Sequence, residues 1–330
     1  MASTFAIAVP GTLFVRALAV RRGLLDHPSQ RSSHTVPTPR GGGLAIVATH
    51  LAALGVLCVL GYTTFRESIA LIAAGGAVAF VGFLDDHRSL AATARLMVHL
   101  AAAIVVVSMI GGVPIPGMDD SAGGDPWIGR LVGVIGITWV INLFNFMDGI
   151  DGIAGSEAVF VSFAAAAMIF LSRGDVGMVG SFGALGMASL GFLVWNWPPA
   201  RIFMGDVGSG FLGFMLAALA LIASRRSMVT VQVWPILGGV FLVDASVTLV
   251  RRIVRGDKWY EAHRMHAYQH LARVWGGHSA VTLFVLAVNV CWLLPWAWYA
   301  VSHPPAATLC LGAALLPPLV GAVWAGAGRP

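Results

Sequence analysis

The chain has 330 residues, of which 58% are hydrophobic and only 11% charged, and its mean hydropathy is +0.82. A soluble domain carries about 25% charged residues, so the composition excludes one and points to a multi-span membrane protein. The formal net charge of +5 then needs no nucleic-acid partner, because Lys and Arg gather in the cytoplasmic loops of membrane proteins.

An apolar helix needs roughly 20 residues to cross a bilayer. Eleven segments qualify: 3–20, 42–62, 67–84, 93–112, 127–145, 153–172, 176–195, 208–224, 230–250, 280–300 and 306–326. The first contains Arg16, and its other cations, Arg21 and Arg22, follow the apolar run, which is the wrong order for a cleavable signal. Runs this long and continuous are helices, not barrel strands, since backbone facing lipid must satisfy its own hydrogen bonds. The expectation is an all-α polytopic bundle of about eleven transmembrane helices forming a single domain over 1–330. Cys58, Cys291 and Cys310 lie in apolar stretches without metal-ligand spacing and read as inert core residues.

The loops at 21–41, 85–92, 146–152, 196–207 and 251–279 each follow an odd-numbered span, so all five face one compartment. With the C-terminal tail, and counting Arg95 at a helix start, they hold 14 of the 20 Lys and Arg residues, against five on the other side. That bias predicts cytoplasmic loops, an external N-terminus and a cytoplasmic C-terminus.

These loops also carry the polar chemistry. The first supplies Arg31, His34 and Arg40 ahead of Gly41–Gly43. Asp85 and Asp86 close a predicted helix, where the dipole favours cations. A bound divalent cation would offset that cost, although a pair of solvated loop charges would need none. Asn142, Asn145, Asp148 and Asp151 recur every three residues, a spacing that keeps neighbours on one helical face. Gly149 and Gly152 let backbone approach a ligand closely. Carboxylates at the seam of two apolar spans are a functional signal by default, the alternative being a helix-ending loop with Asx turns. Asp206 lies in Phe-Met-Gly-Asp-Val-Gly-Ser-Gly before a new span, as a helix cap or a metal ligand. Phe203 either stacks on a flat ring or packs at the membrane interface. His263, His266 and His270 share one face if their segment is helical. Their neighbours Arg251, Arg252, Arg255, Lys258, Arg264 and Arg273 suit phosphate better than zinc.

Aspartates that hold Mg²⁺ and cations that hold polyanions make a set for phosphoryl transfer. A site at a membrane seam implies that one partner is a lipid.

In order, Asp85-Asp86, Asn142-x-x-Asn145-x-x-Asp148-Gly-Ile-Asp151-Gly, Phe203-Met-Gly-Asp206-Val-Gly-Ser209 and the His-rich last loop resemble the polyprenyl-phosphate N-acetylhexosamine-1-phosphate transferases, over about residues 24 to 275. The resemblance implies attack by a polyprenyl phosphate oxygen on the β-phosphorus of a UDP-N-acetylhexosamine, releasing UMP, with Mg²⁺ (or Mn²⁺ in its place) neutralising the diphosphate. It implies Asp206 and Asp86 as metal ligands and Asp85, Asp86, Asp151 and His266 as the catalytic set. Asn142, Asn145, Asp148, Asp151 and Phe203 would line the nucleotide-sugar side. Arg40, Arg264, His266 and His270 would bind phosphate. The partners are undecaprenyl phosphate and the lipid bilayer of a bacterial inner membrane, with a homodimer left open. The loop His263-Arg-Met-His266 lacks the histidine triplet of the peptidoglycan enzyme, and Arg31-Ser-Ser-His34 lacks its lysine-bearing motif. Both features, like the span count, resemble the O-antigen-initiating branch, which uses UDP-N-acetylglucosamine or 6-deoxy sugars such as UDP-N-acetylfucosamine and UDP-N-acetylquinovosamine.

Two other classes compete. CDP-alcohol phosphatidyltransferases need an Asp-Gly followed by Ala-Arg, and here Ile-Asp-Gly-Ile-Ala-Gly-Ser follows Asp148-Gly149. A cation-coupled transporter predicts acids near the bilayer midplane and an inverted repeat. Only Asp244 is placed for that role, no repeat is visible, and Asp244 stays outside the predicted site.

Overall fold

A computed structural model describes residues 1–28, 36–115, 127–172, 174–258 and 263–329. Arg31 and His34 lie outside the described residues. The described residues are all-α in class, apart from two paired dipeptides. Its helices are α1 (Ala2–Arg21), α2 (Gly43–Val59), α3 (Phe65–His87), α4 (Ala92–Ile110), α5 (Trp127–Met147), α6 (Ile153–Ser172), α7 (Val176–Asn196), α8 (Asp206–Arg225), α9 (Val233–Leu237), α10 (Gly239–Arg255), α11 (Ala267–Val274), α12 (His278–Val288), α13 (Leu294–Ser302) and α14 (Ala307–Trp324). A π-helical turn over Asn289–Leu293 joins α12 to α13 without a break.

Among the described residues, nine helices are long and apolar enough to cross a membrane. The protein is therefore a polytopic helical membrane protein. Two of the eleven expected spans fall short of that length. The second is the 17-residue α2. The ninth, expected at 230–250, is broken into α9 and α10. Pro235 removes a backbone donor and Gly238-Gly239 supply poor helix formers at the break. Moreover, α10 carries Asp244, Arg251, Arg252 and Arg255, so it is not a uniformly apolar rod.

The buried helix α8 runs between α3, α5 and α2. Small residues set these crossings. A Cβ on Gly82 of α3 would meet the Asp206 carbonyl oxygen at 2.4 Å, and one on Gly43 of α2 would meet the Gly208 Cα at 2.3 Å. Real Cβ atoms do not approach so closely, so only glycine lets the three helix ends touch. Around Phe182, Phe192, Phe211, Phe214 and Phe241 the core is fully buried.

The loop ends are tied to the same place. β1 (Leu25–Asp26) pairs antiparallel with β2 (Thr38–Pro39), Leu25 opposite Pro39. The strand then continues onto the segment before α8. Phe203 N–H donates to Pro39 O (2.8 Å), Gly42 N–H to Phe203 O (2.9 Å) and Gly43 N–H to Met204 O (2.9 Å). These bonds dock the first polar loop on the fourth. At the other end of α8 the charges satisfy one another, Arg226 binding Glu67 (2.6 Å) and Asp175 (3.1 Å).

Candidate active site

Asp85 and Asp86 do end α3, where the helix dipole opposes them. The tertiary structure supplies the compensation. Asp86 accepts the backbone N–H groups of Asp206 (2.9 Å) and Val207 (3.1 Å), the first donors of α8. An anion at a helix N-terminus is favourable. Gly205, at φ +77, turns the chain into α8, and a Cβ there would lie 2.4 Å from an Asp86 carboxylate oxygen. Glycine is thus required twice over, for the backbone angle and for the close approach.

Two arginines bracket the acids. Arg40 places Nε 2.8 Å from Asp86 Oδ1 and Nη2 3.0 Å from Asp206 Oδ1. Arg95 places Nη1 2.7 Å from Asp85 Oδ2 and 2.8 Å from Asp206 Oδ2. Asp85 also accepts Leu90 N–H at 2.6 Å. Three carboxylates drawn from α3 and α8 are held by two guanidiniums, with Asp206 shared by both. Arg40 is raised further by the Asp86 and Asp206 charges, against the desolvation that opposes it.

A 220 Å³ cavity opens on this cluster, lined among others by Arg40, Asn145, Asp148, Asp206 and Ser209. Asn145, in the last turns of α5, donates to Ser209 Oγ at 3.2 Å. Asn142 instead donates back to Thr138 O at 2.7 Å, within its own helix. Asp148 follows α5 directly. Desolvation pushes its carboxyl well above the usual range, and the Asp206 charge adds to this. Asn142 and Asn145 both belong to α5, which stops at Met147, and Asp148 follows directly, so the helical three-residue spacing does not extend to Asp151.

Asp151 lies beyond the helix and faces a different set of groups. Its Oδ2 accepts Ala200 N–H at 3.0 Å, its Oδ1 lies 3.2 Å from His278 Nδ1, and its carbonyl accepts the Thr282 hydroxyl at 3.0 Å. Next to it, Gly152 N–H donates to Asn196 Oδ1 at 2.9 Å. The loop after α7 and the start of α12 are thereby fastened to the start of α6. On this side a second, wider cavity of 650 Å³ adjoins the first, with Pro198, Phe203, Arg264, Arg273 and His278 in its lining.

The histidine loop is ordered from behind. Helix α11 begins at Ala267, so His263 and His266 precede it and do not share a helical face with His270. Asp244, 2% exposed on α10, accepts Ala267 N–H (2.9 Å) and Tyr268 N–H (3.0 Å) and lies 3.2 Å from His266 Nδ1. It caps α11 and orients His266 at once. His266 is 3% exposed, with His263 stacked at 4.9 Å and Tyr268 at 5.6 Å. Burial, with His266 and Arg252 beside it, lowers His263 to about 3. Tyr268 reaches back to α5, donating its hydroxyl to Phe146 O at 3.0 Å. His270 points to the C-terminal tail, Nε2 lying 3.2 Å from Arg329 O and Nδ1 2.7 Å from Arg273.

Sequence reasoning left out three participants. Arg95 was counted only as a loop charge, yet it bridges Asp85 and Asp206. Asp244 stood outside the predicted site, although an acid within an apolar segment is itself a signal. His278, the first residue of α12 after Gly276-Gly277, carried no local signal.

The segment from residue 68 to residue 224 matches the family model described as "Glycosyl transferase family 4". A "probable undecaprenyl-phosphate N-acetylglucosaminyl 1-phosphate transferase" of Bacillus subtilis is 32% identical over 271 residues, 78% of this chain and 74% of that one. A "decaprenyl-phosphate N-acetylglucosaminephosphotransferase" of Mycobacterium tuberculosis is 28% identical over 312 residues, 82% and 74% of the two chains. A "phospho-N-acetylmuramoyl-pentapeptide-transferase" of Frankia casuarinae is 32% identical over 291 residues, 74% and 79%. With the resemblance carried by its four polar loops, the chain belongs to glycosyl transferase family 4, the polyprenyl-phosphate N-acetylhexosamine-1-phosphate transferases.

Proposed function

We propose that the protein transfers N-acetylhexosamine 1-phosphate from a UDP-sugar to undecaprenyl phosphate at the cytoplasmic face of a bacterial inner membrane, releasing UMP. The sugar is N-acetylglucosamine or a 6-deoxy analogue such as N-acetylfucosamine or N-acetylquinovosamine. The step opens the synthesis of O-antigen or a related surface polysaccharide. The observation that carries this reading is the cluster of Asp85, Asp86 and Asp206 under Arg40 and Arg95, set at the ends of apolar helices, with Asp206 and Arg40 lining a cavity. The excess of cations in the same five loops supports the cytoplasmic orientation.

The carboxylates fit Mg²⁺, which takes oxygen ligands and is held by one or two carboxylates together with substrate phosphates. Among the described residues no group of three or more acid, His or Cys side chains forms a ready-made cage, in keeping with a cation completed by substrate. Asp206, with Asp86 beside it, would hold the ion, which when bound neutralises the diphosphate. Arg40 and Arg95 fix the carboxylates and bring positive charge to the diphosphate. Phosphoryl transfer is mostly positioning and charge stabilisation. The lipid's attacking oxygen belongs to a phosphate anion, so Asp85 need not take a proton. A P–O bond forms to the sugar-bearing phosphorus as the bond to UMP breaks. Asn145 and Asp148 line the donor side of the cavity.

Purified protein in detergent, given undecaprenyl phosphate and a panel of UDP-N-acetylhexosamines, tests the reading. UMP release is expected with one donor, dependent on lipid and on Mg²⁺, abolished by EDTA and lost in Asp206→Asn. Absence of UMP with every donor, from folded protein, overturns it.

A further inference from the structure

Four residues line both cavities: Asp151, Phe203, Gln269 and His278. They stand where a ligand extending from the Asp206 cluster into the wider cavity must pass. Their hydrogen-bonding capacity is unequal. Both carboxylate oxygens of Asp151 already face protein groups, Ala200 N–H and His278 Nδ1. Gln269 Oε1 accepts His266 N–H at 3.3 Å.

Asp151 is an acceptor only, whereas Gln269 Nε2 and one ring nitrogen of His278 are without a partner among the described residues. His278 Nδ1 is committed to Asp151, lying 3.2 Å from Oδ1 and receiving the Asp151 backbone N–H at 3.3 Å. The ring is held there in either protonation state. With Nδ1 bare it accepts the amide, and with Nδ1 protonated it donates to the carboxylate. The ring's other polar atom, Nε2, has no partner among the described residues, and the side chain is 17% exposed in the lining of both cavities. When Nδ1 accepts the amide, and equally in the imidazolium, Nε2 carries a proton to donate.

With the donor's phosphates held by Arg40 and the Asp206 cluster, as proposed, the rest of the donor meets the wall shared by the two cavities, which includes His278 and Phe203, whose flat ring suits a planar partner. Resting on the proposed function, we infer that His278 is a specificity-determining residue, anchored on Asp151 through Nδ1 and donating Nε2–H to the C4 carbonyl oxygen of the donor's uracil, the one that cytosine replaces with an amino group.

Two amide substitutions separate the ring's two halves. In His278→Asn the side-chain nitrogen can take the place of Nδ1, keeping the tie to Asp151 but not the reach of Nε2. In His278→Gln the nitrogen can take the place of Nε2, keeping the reach but not the tie. The full-length protein in detergent is titrated calorimetrically with UMP and, separately, with CMP, whose ring has an amino group in place of one carbonyl. Loss of one hydrogen bond is worth about tenfold. UMP binding is expected to weaken about tenfold in His278→Ala and His278→Asn, to recover in His278→Gln, and the preference for UMP over CMP to shrink in the first two. Recovery in His278→Asn and not in His278→Gln would mean that the ring serves only to position Asp151, and overturns the inference. Equal UMP binding by wild type and all variants also overturns it, leaving the proposed function intact. A wild type that binds no UMP and releases none from any UDP-sugar removes the proposed function as well.

Discussion

Arg95 uses a single nitrogen, Nη1, to hold two carboxylates from separate helices, 2.7 Å from Asp85 and 2.8 Å from Asp206. Without it the two acids would meet with only Arg40 on one side of the pair. Arg95→Ala is expected to lower kcat by about 100-fold or more, the scale of losing a preorganised electrostatic group. Because one nitrogen makes both contacts, Arg95→Lys should retain much of the activity, whereas Arg40, which uses two nitrogens on two acids, should not tolerate Lys as well. Steady-state UMP release by the three variants checks the contrast.

Asp244 supplies the acceptors for two amides at the start of α11. Asp244→Ala leaves buried donors unpaired, at a cost on the order of 1–3 kcal/mol for each. A lower Tm is expected, together with reduced activity as His266 loses its orientation. Asp244→Asn, which keeps one acceptor oxygen, should fall between. Thermal unfolding in detergent measures the order.

Gly82 and Asp206 touch through backbone. A methyl group at Gly82 would sit 2.4 Å from the Asp206 carbonyl oxygen, and overpacking of this kind costs about 1–3 kcal/mol. Gly82→Ala should therefore lose activity beyond its loss of Tm, because relief of the clash moves Asp206 off Arg40 and Arg95. Gly76, on the same helix with open space around its Cβ position, serves as the control, and Gly76→Ala should leave activity unchanged.

His263 is held neutral, with its folded value lowered to about 3 against roughly 6.5 when unfolded. The unfolded chain therefore binds a proton that the folded chain refuses between these values, so stability is full above about pH 6.5 and is lost as pH falls toward 3. His263→Gln should lose less Tm than wild type between pH 7.5 and pH 5. Parallel losses in the two proteins would refute the assignment.

Much of the architecture was legible beforehand because membrane insertion is a local property. Each of the eleven apolar segments contains helix, since lipid leaves backbone no other partner. The resemblance to the family also implied Asp85, Asp86 and Asp206 as one set. The break in the ninth segment was harder to see. Its apolar content disguised Trp-Pro and Gly-Gly, whose effect depends on what α9 and α10 pack against.

The assignments within the site were less legible. Nothing local tells that Asn142 meets its own Thr138 carbonyl and His99 of α4 while Asn145 crosses to Ser209 of α8. Asp148 and Asp151 sit three residues apart and both line the cavity beside Asp206, yet it is Asp151 that is fastened between Ala200 and His278.

By itself the sequence determined the solvent of this protein, its helical class and the types of residue available for chemistry. Composition and periodicity act over a few turns and need no tertiary partner. Only the tertiary structure decided which charges neutralise which. Arg95 and Asp206 are 111 positions apart, and Asp151 and His278 are 127 apart in their backbone contact. Such pairs form only where helix crossings bring them within hydrogen-bond distance, and those crossings depend on contacts such as Gly82 on Asp206 that no single segment encodes.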